Sequence, residues 1–156
     1  MAKKADRESS PVRNSTSGDR RRKEKISRKA GGNRHPATTP EVSNGARVFA
    51  LAAAEVAAGR HCRDIVVLDL KGKSPATDYF VIATGTSDRQ MRTVADEICR
   101  TAKKQRLQRF GRAGYEQARW ILLDFIDVVI HIFDNEYRNY YDLELLWGDA
   151  ERLMIE

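Results

Sequence analysis

From Ala46 onward the chain switches between two periods of apolar spacing, and the switches mark its elements. Ala46–Ala58 carries Val48, Phe49, Ala52, Ala53 and Val56 on one stripe, which is helical spacing, and Gly59 stands where a helix-ending glycine is expected. Asp64–Leu70 is a mostly β-branched run and predicts a buried strand. Lys71-Gly72-Lys73-Ser74-Pro75 reads as a turn, and Asp78–Thr84 as a second strand ended by Gly85-Thr86-Ser87.

The next helix is the clearest. Ser87 and Gln90 form a Ser-x-x-Gln capping pattern, and Met91, Val94, Ala95, Ile98 and Ala102 then fall on one face. Lys103, Lys104 and Arg106 lie at its end, where cations suit the helix dipole. Gly111 and Gly114 mark a loop, with a short extra strand expected near Leu107–Phe110. Trp120–Phe125 and Val128–Phe133 read as two strands close enough to pair as an antiparallel hairpin. Their connector, Ile126-Asp127, is a poor tight turn, because a two-residue hairpin wants Gly or Asn at positive φ. Either the strands connect differently there or a bulge absorbs the mismatch. A last helix is expected over Glu136–Trp147, capped by Asp134. The order helix, strand, strand, helix, strand, strand, helix predicts an α/β (α+β) domain, a mixed β-sheet flanked by helices.

Charge divides the chain. It holds 28 Lys and Arg against 22 Asp and Glu, a net of +6. Residues 1–45 hold twelve basic and five acidic residues, so the basic character belongs to a tail and residues 46–156 are nearly neutral. In that tail, beyond Met1, only Val12, Ile26 and Val42 are large and apolar, a composition that predicts disorder. Its run Arg20-Arg21-Arg22-Lys23-Glu24-Lys25 suits phosphate binding that weakens steeply with salt, as in nonspecific contact with RNA. It equally suits a solubilising extension. An organellar transit peptide is disfavoured by Asp6, Glu8 and Asp19. No apolar run approaches the roughly 18 residues of a membrane span. Cys62 and Cys99 lack metal-ligand spacing and point to a reducing compartment.

Candidate chemistry is sparse. Gly85-Thr86-Ser87 sits where a strand becomes a helix and could offer amides to a phosphate, but it also makes an ordinary turn and cap, with no Gly-rich nucleotide motif. Asp124, Asp127 and Asp134 lie near His131. Residues 124 and 127 are three apart, whereas carboxylates converging from one strand should be two apart. His131 shares a strand face with Val129 and Phe133, which suits a structural imidazole, and neither Ser74 nor Ser87 has an evident base. The aromatics Trp120, Tyr137, Tyr140, Tyr141 and Trp147 fill the core or, where exposed, anchor a protein partner.

Taken together, several segments resemble the ribosomal silencing factor family, also called Iojap-like. They are Asp64–Leu70; Gly72-Lys73-Ser74 with Thr77-Asp78; Thr84–Ser87 with Arg89; Trp120 with Asp124; Asp127–Phe133; and Arg138, Tyr141, Leu143-Glu144 and Leu146-Trp147. The resemblance divides the chain into a basic tail (1–45), the family domain (46–150) and a C-terminal extension (151–156). It implies a fold related to nucleotidyltransferases without their catalytic acids. It further implies binding to the large ribosomal subunit at its fourteenth protein, steric blocking of small-subunit joining, and repression of translation. No catalytic residue, metal or cofactor is expected. Lys73, Asp78, Trp120, Asp124, Arg138 and Tyr141 are the expected outward-facing contacts. A homodimer, added contact of the tail with ribosomal RNA, and a bacterial cytoplasmic location (an organelle as the alternative) complete the expectation. The family pattern often has Gly where this chain has Ile126. Two rival readings stand beside it: a nucleotidyltransferase-like or phosphohydrolase enzyme using Gly85–Ser87 and the acids near His131, and an RNA-binding protein acting through its tail.

Overall fold

The computed structural model describes residues 40–156, with side chains from Asn44 onward. The tail expected over residues 1–45 therefore lies outside the described residues up to position 39, and helix α1 (Pro40–Gly59) begins earlier than its apolar stripe suggested. There follow β1 (Arg63–Asp69), β2 (Tyr79–Thr84), α2 (Asp88–Lys104), β3 (Gly111–Ala113), β4 (Trp120–Asp124), β5 (Val128–Phe133), α3 (Asn135–Tyr141), α4 (Leu143–Leu146) and β6 (Glu151–Leu153). The strands form one six-stranded sheet in the order β3-β4-β5-β2-β1-β6. Only β2 and β5 run parallel, so the sheet is mixed.

Helices α1 and α2 cover one face. Phe49, Ala50, Ala53, Ala54 and Ala57 of α1 are fully buried against Val67, Val81, Ile121, Leu123, Ile130 and Ile132. The buried stripe of α1 is rotated from the expected one: Val48 is exposed, and alanines take the sheet side, where small side chains allow close approach. Helix α2 buries the five residues that its periodicity assigned. Its cap is also as expected in part: Ser87 Oγ accepts from Gln90 N at 3.1 Å. The reciprocal arm is displaced by one residue, since Gln90 Oε1 accepts from Thr86 N rather than from Ser87. A Cβ on Gly85 would stand 2.2 Å from Met91 Cγ, which is why the turn into α2 takes glycine.

Three expectations change. The extra strand is Gly111–Ala113, not Leu107–Phe110, because its partner is the end of β4: Gly111 pairs with Asp124. The final helix is broken in two, with Asp142 between the halves at φ 42. The residues after it, read as an extension, form β6 and pair with β1 through Val67, Leu68 and Asp69. The hairpin between β4 and β5 is in uninterrupted register, and Ile126 itself takes the positive φ, 71°, with Asp127 N donating to Phe125 O at 3.0 Å. That is a γ-turn centred on a β-branched residue, a strained arrangement.

Candidate protein-docking face

The second face of the sheet is covered only in part. Register and alternation together bring three rows to it: Trp120, Phe133 and Thr84; Leu122, His131, Ile82 and Val66; and Asp124, Val129, Phe80 and Leu68. Helices α3 and α4 close over the Leu68, Leu70, Ile82 and Phe133 end, with Tyr137, Leu143 and Trp147 packed against it. Leu122, Val129, Phe80 and Trp120 are left half-buried, an apolar strip at the border of this cover: Phe80 and Trp120 pack against the covered cluster, and Leu122 and Val129 lie outside it.

An aromatic cluster frames this strip. Trp120 stacks on Phe133 at 4.9 Å between ring centres and meets Tyr141 at 4.6 Å. Phe80 meets His131 edge-on at 4.5 Å and Trp147 at 6.1 Å. The Trp120 indole N–H donates to His131 Nδ1 at 3.1 Å. Burial lowers the His131 pKa to about 3, so its ring is neutral at physiological pH, with the proton on Nε2. A neutral imidazole receiving an indole N–H holds the tryptophan in place. It is no general base, since the nitrogen that would take a proton is already occupied.

The polar residues sit at the rim. Asp78, Asp124 and Asp127 share the end of the sheet where β2 and β5 begin and β4 ends. Burial first, and the nearby Asp127 carboxylate second, raise the Asp78 pKa. Asp127 O accepts from both Asp78 N and Tyr79 N at 3.0 Å, and Asp124 Oδ1 accepts from Ile126 N at 2.8 Å. Lys73 is exposed and donates to Asp149 at 3.0 Å.

The six expected contacts thus separate. Lys73, Asp78, Trp120, Asp124 and Tyr141 lie on or around the strip, and Tyr141 is 43% exposed. Arg138 does not face out: it is 7% exposed. Its guanidinium bonds Thr84 Oγ1 at 2.9 Å, Asp64 O at 2.8 Å and both Glu144 carboxylate oxygens. The reason is local. Asp64 sits at φ 48 beside a register shift in β1, and Arg138 ties that irregular strand to the corner between α3 and α4. Arg138 is therefore a latch. Sequence reasoning missed Phe80, Leu122 and Val129 as surface residues. Their strands are apolar at nearly every position, so alternation carried no sign of which face was open.

The groups that a catalytic reading would use are engaged elsewhere. Gly85 N donates to Phe133 O, Thr86 N to Gln90 Oε1 and Gln90 N to Ser87 Oγ, so these amides have intrachain acceptors. Asp134 caps α3 through Tyr137 N and pairs with Arg119 at 2.7 Å. Among the described residues, no three of His, Cys, Asp or Glu are grouped to hold a metal ion.

Comparison with known proteins gives a consistent picture. Residues 43–156 match the family described as ribosomal silencing factor during starvation, RsfS. The ribosomal silencing factor RsfS of Halalkalibacterium halodurans is 41% identical over 97 residues, 62% of this chain and 83% of that protein. That of Bacillus subtilis is 44% identical over 91 residues, 58% of this chain and 77% of its own length. The chloroplastic protein Iojap of Arabidopsis thaliana is 34% identical over 122 residues, covering 75% of this chain and 50% of the plant protein. Among solved structures, one from Bacillus halodurans aligns with a TM-score of 0.58 at 35% identity, covering 69% of this chain and 95% of the other. Another, from Chromobacterium violaceum, gives 0.61 at 29% identity, covering 72% and 90%. With a match running from the first turn of α1 to the last residue, and solved relatives sharing the fold, this chain belongs to the ribosomal silencing factor family.

Proposed function

We propose that this chain silences ribosomes by docking on the large subunit through the open strip of its sheet, and that its bulk then excludes the small subunit. The observation that carries the reading is the apolar strip of Phe80, Trp120, Leu122 and Val129, only partly covered by the α3 and α4 segment and edged by Lys73, Asp78, Asp124 and Tyr141. Such a surface, an aromatic centre with a charged rim, is the anatomy of a protein–protein contact. The expected receptor is the fourteenth protein of the large subunit, and an acidic rim at Asp78, Asp124 and Asp127 favours a basic patch on it. An interface burying about 1,200–2,000 Å² in total suffices for specific binding. Blocking then follows from mass action, because two bodies that need one site compete for it. No bond is made or broken, and the location is wherever the ribosomes are: the bacterial cytoplasm, or an organelle for a chain of the Iojap type.

The test is sedimentation of purified large subunits with the full chain, with and without small subunits. The wild type is expected to travel with large subunits and to reduce the joined ribosome peak. Leu122→Asp, which places a charge at the centre of the strip, is expected to weaken both effects at least tenfold while the protein stays folded. Undiminished joining under saturating wild-type protein would end the proposal.

A further inference from the structure

The exposed cations of the folded part are concentrated on one short segment. Between Glu97 and Glu116 there is no carboxylate, yet Arg100, Lys103, Lys104, Arg106, Arg109 and Arg112 are all exposed. Among the described residues none of these six has a carboxylate partner within 4 Å. The neighbouring acids are occupied: Glu97 by Arg60 at 2.6 Å, and Asp96 by the Tyr115 hydroxyl at 2.8 Å. Arg109 donates to Cys99 Sγ at 3.6 Å and Arg112 lies 4.1 Å over the Tyr115 ring, but neither neutral group cancels a charge, so among the described residues the segment's positive charge is balanced by no carboxylate.

Two further features give the segment a chemical direction. The end of α2 closes with Arg106 N donating to Lys103 O and Leu107 N to Ala102 O, so Arg106 fills the left-handed position, at φ 60, that glycine usually takes. An arginine there costs conformational energy that a glycine would not. Next, Phe110 is 76% exposed although its backbone is fixed, its N–H bonded to Asp124 O at 2.7 Å at the sheet edge. An exposed aromatic ring on a fixed backbone, with Arg109 and Arg112 beside it in the chain, offers a base a stacking surface next to phosphate-binding cations.

We propose that Arg100–Arg112 is a second binding surface, one that takes an unpaired stretch of RNA. The cations hold phosphates and Phe110 stacks on a base. An unpaired strand is required because a base in a duplex has no free face for the ring. Membership in a ribosomal family makes RNA the polyanion at hand. The helix α2 part of this surface lies on the face of the sheet opposite the strip, and the rest meets the strip's rim only at the sheet edge, where Phe110 N donates to Asp124 O.

The experiment is fluorescence anisotropy of the full chain with a labelled oligouridine across a salt series, with inorganic polyphosphate of similar length as a base-free comparator. R106Q/R109Q/R112Q is expected to bind about tenfold more weakly and to flatten the logarithmic salt slope by about 2, the loss of roughly three phosphate contacts. F110A is expected to lose about five- to tenfold for oligouridine and nothing for polyphosphate. R106G is expected to unfold at a higher temperature yet bind more weakly, a pairing that a purely structural arginine would not give. Wild-type affinity and slope in the triple variant would overturn the proposal by leaving binding to the basic tail. So would equal competition by polyglutamate and oligouridine, which would mark an acidic protein as the occupant.

Discussion

The two faces of the sheet are built from the same strands and end in opposite states. On the α1 and α2 side, Val67, Val81, Ile121, Leu123, Ile130 and Ile132 are sealed by two long helices. On the other side, two short helices cover one end and leave Phe80, Leu122 and Val129 half open. The first face spends its apolar surface on folding. The second keeps part of it for something outside the chain. Burial is worth roughly 25 cal/mol per Å² in either use, so what differs is only which partner removes the water.

That contrast can be broken in order of expected effect. Phe49→Ala, under α1 and in edge contact with Phe125 at 4.8 Å, is expected to cost about 3–5 kcal/mol in urea unfolding. A loss as small as that of a surface substitution would mean that the sealed face is not the core. Arg138→Ala acts on the second face. It leaves Glu144, Thr84 and Asp64 O without their donor and is expected to cost about 2–3 kcal/mol. A neutral result would return Arg138 to the pool of contact residues.

His131 sharpens the comparison through pH. Its folded pKa of about 3 lies below the usual 6.5. The unfolded chain therefore takes up a proton first as pH falls, and the contribution is present above 6.5 and lost toward 3. Wild type is expected to lose about 2 kcal/mol between pH 7 and pH 5 from this group, and His131→Gln to remove that part of the slope. Parallel pH curves for the two proteins would show the ring accessible to protons, and the strip wetter than its geometry implies. The smallest effect belongs to Ile126→Gly. Relief of the positive φ at the γ-turn is expected to raise stability by about 0.5–1 kcal/mol. A decrease would mean that the exposed isoleucine has a packing role.

Much of this was legible in order along the chain. The periodicity of α2, its Ser87 cap and the apolar runs of β1, β2 and β5 are local properties, and each formed close to where its residues indicated. The family pattern was legible for the same reason, being a succession of short motifs. The open strip was not. In Trp120-Ile121-Leu122-Leu123, one alternate pair faces a sealed core and the other is left half-buried on the partly covered face, and nothing in the residue types distinguishes them.

The sequence by itself determined which segments become helices and strands, because spacing, caps and β-branching act within a turn or a strand's length. Only the tertiary structure decided what those elements show to the outside. Arg138 became a buried latch because Thr84, 54 residues away, and Asp64, 74 residues away, supply acceptors around it. Residues 151–153 became a strand because β1 had an unpaired edge to offer. An isolated peptide contains neither neighbour, and exposure is a property of neighbours.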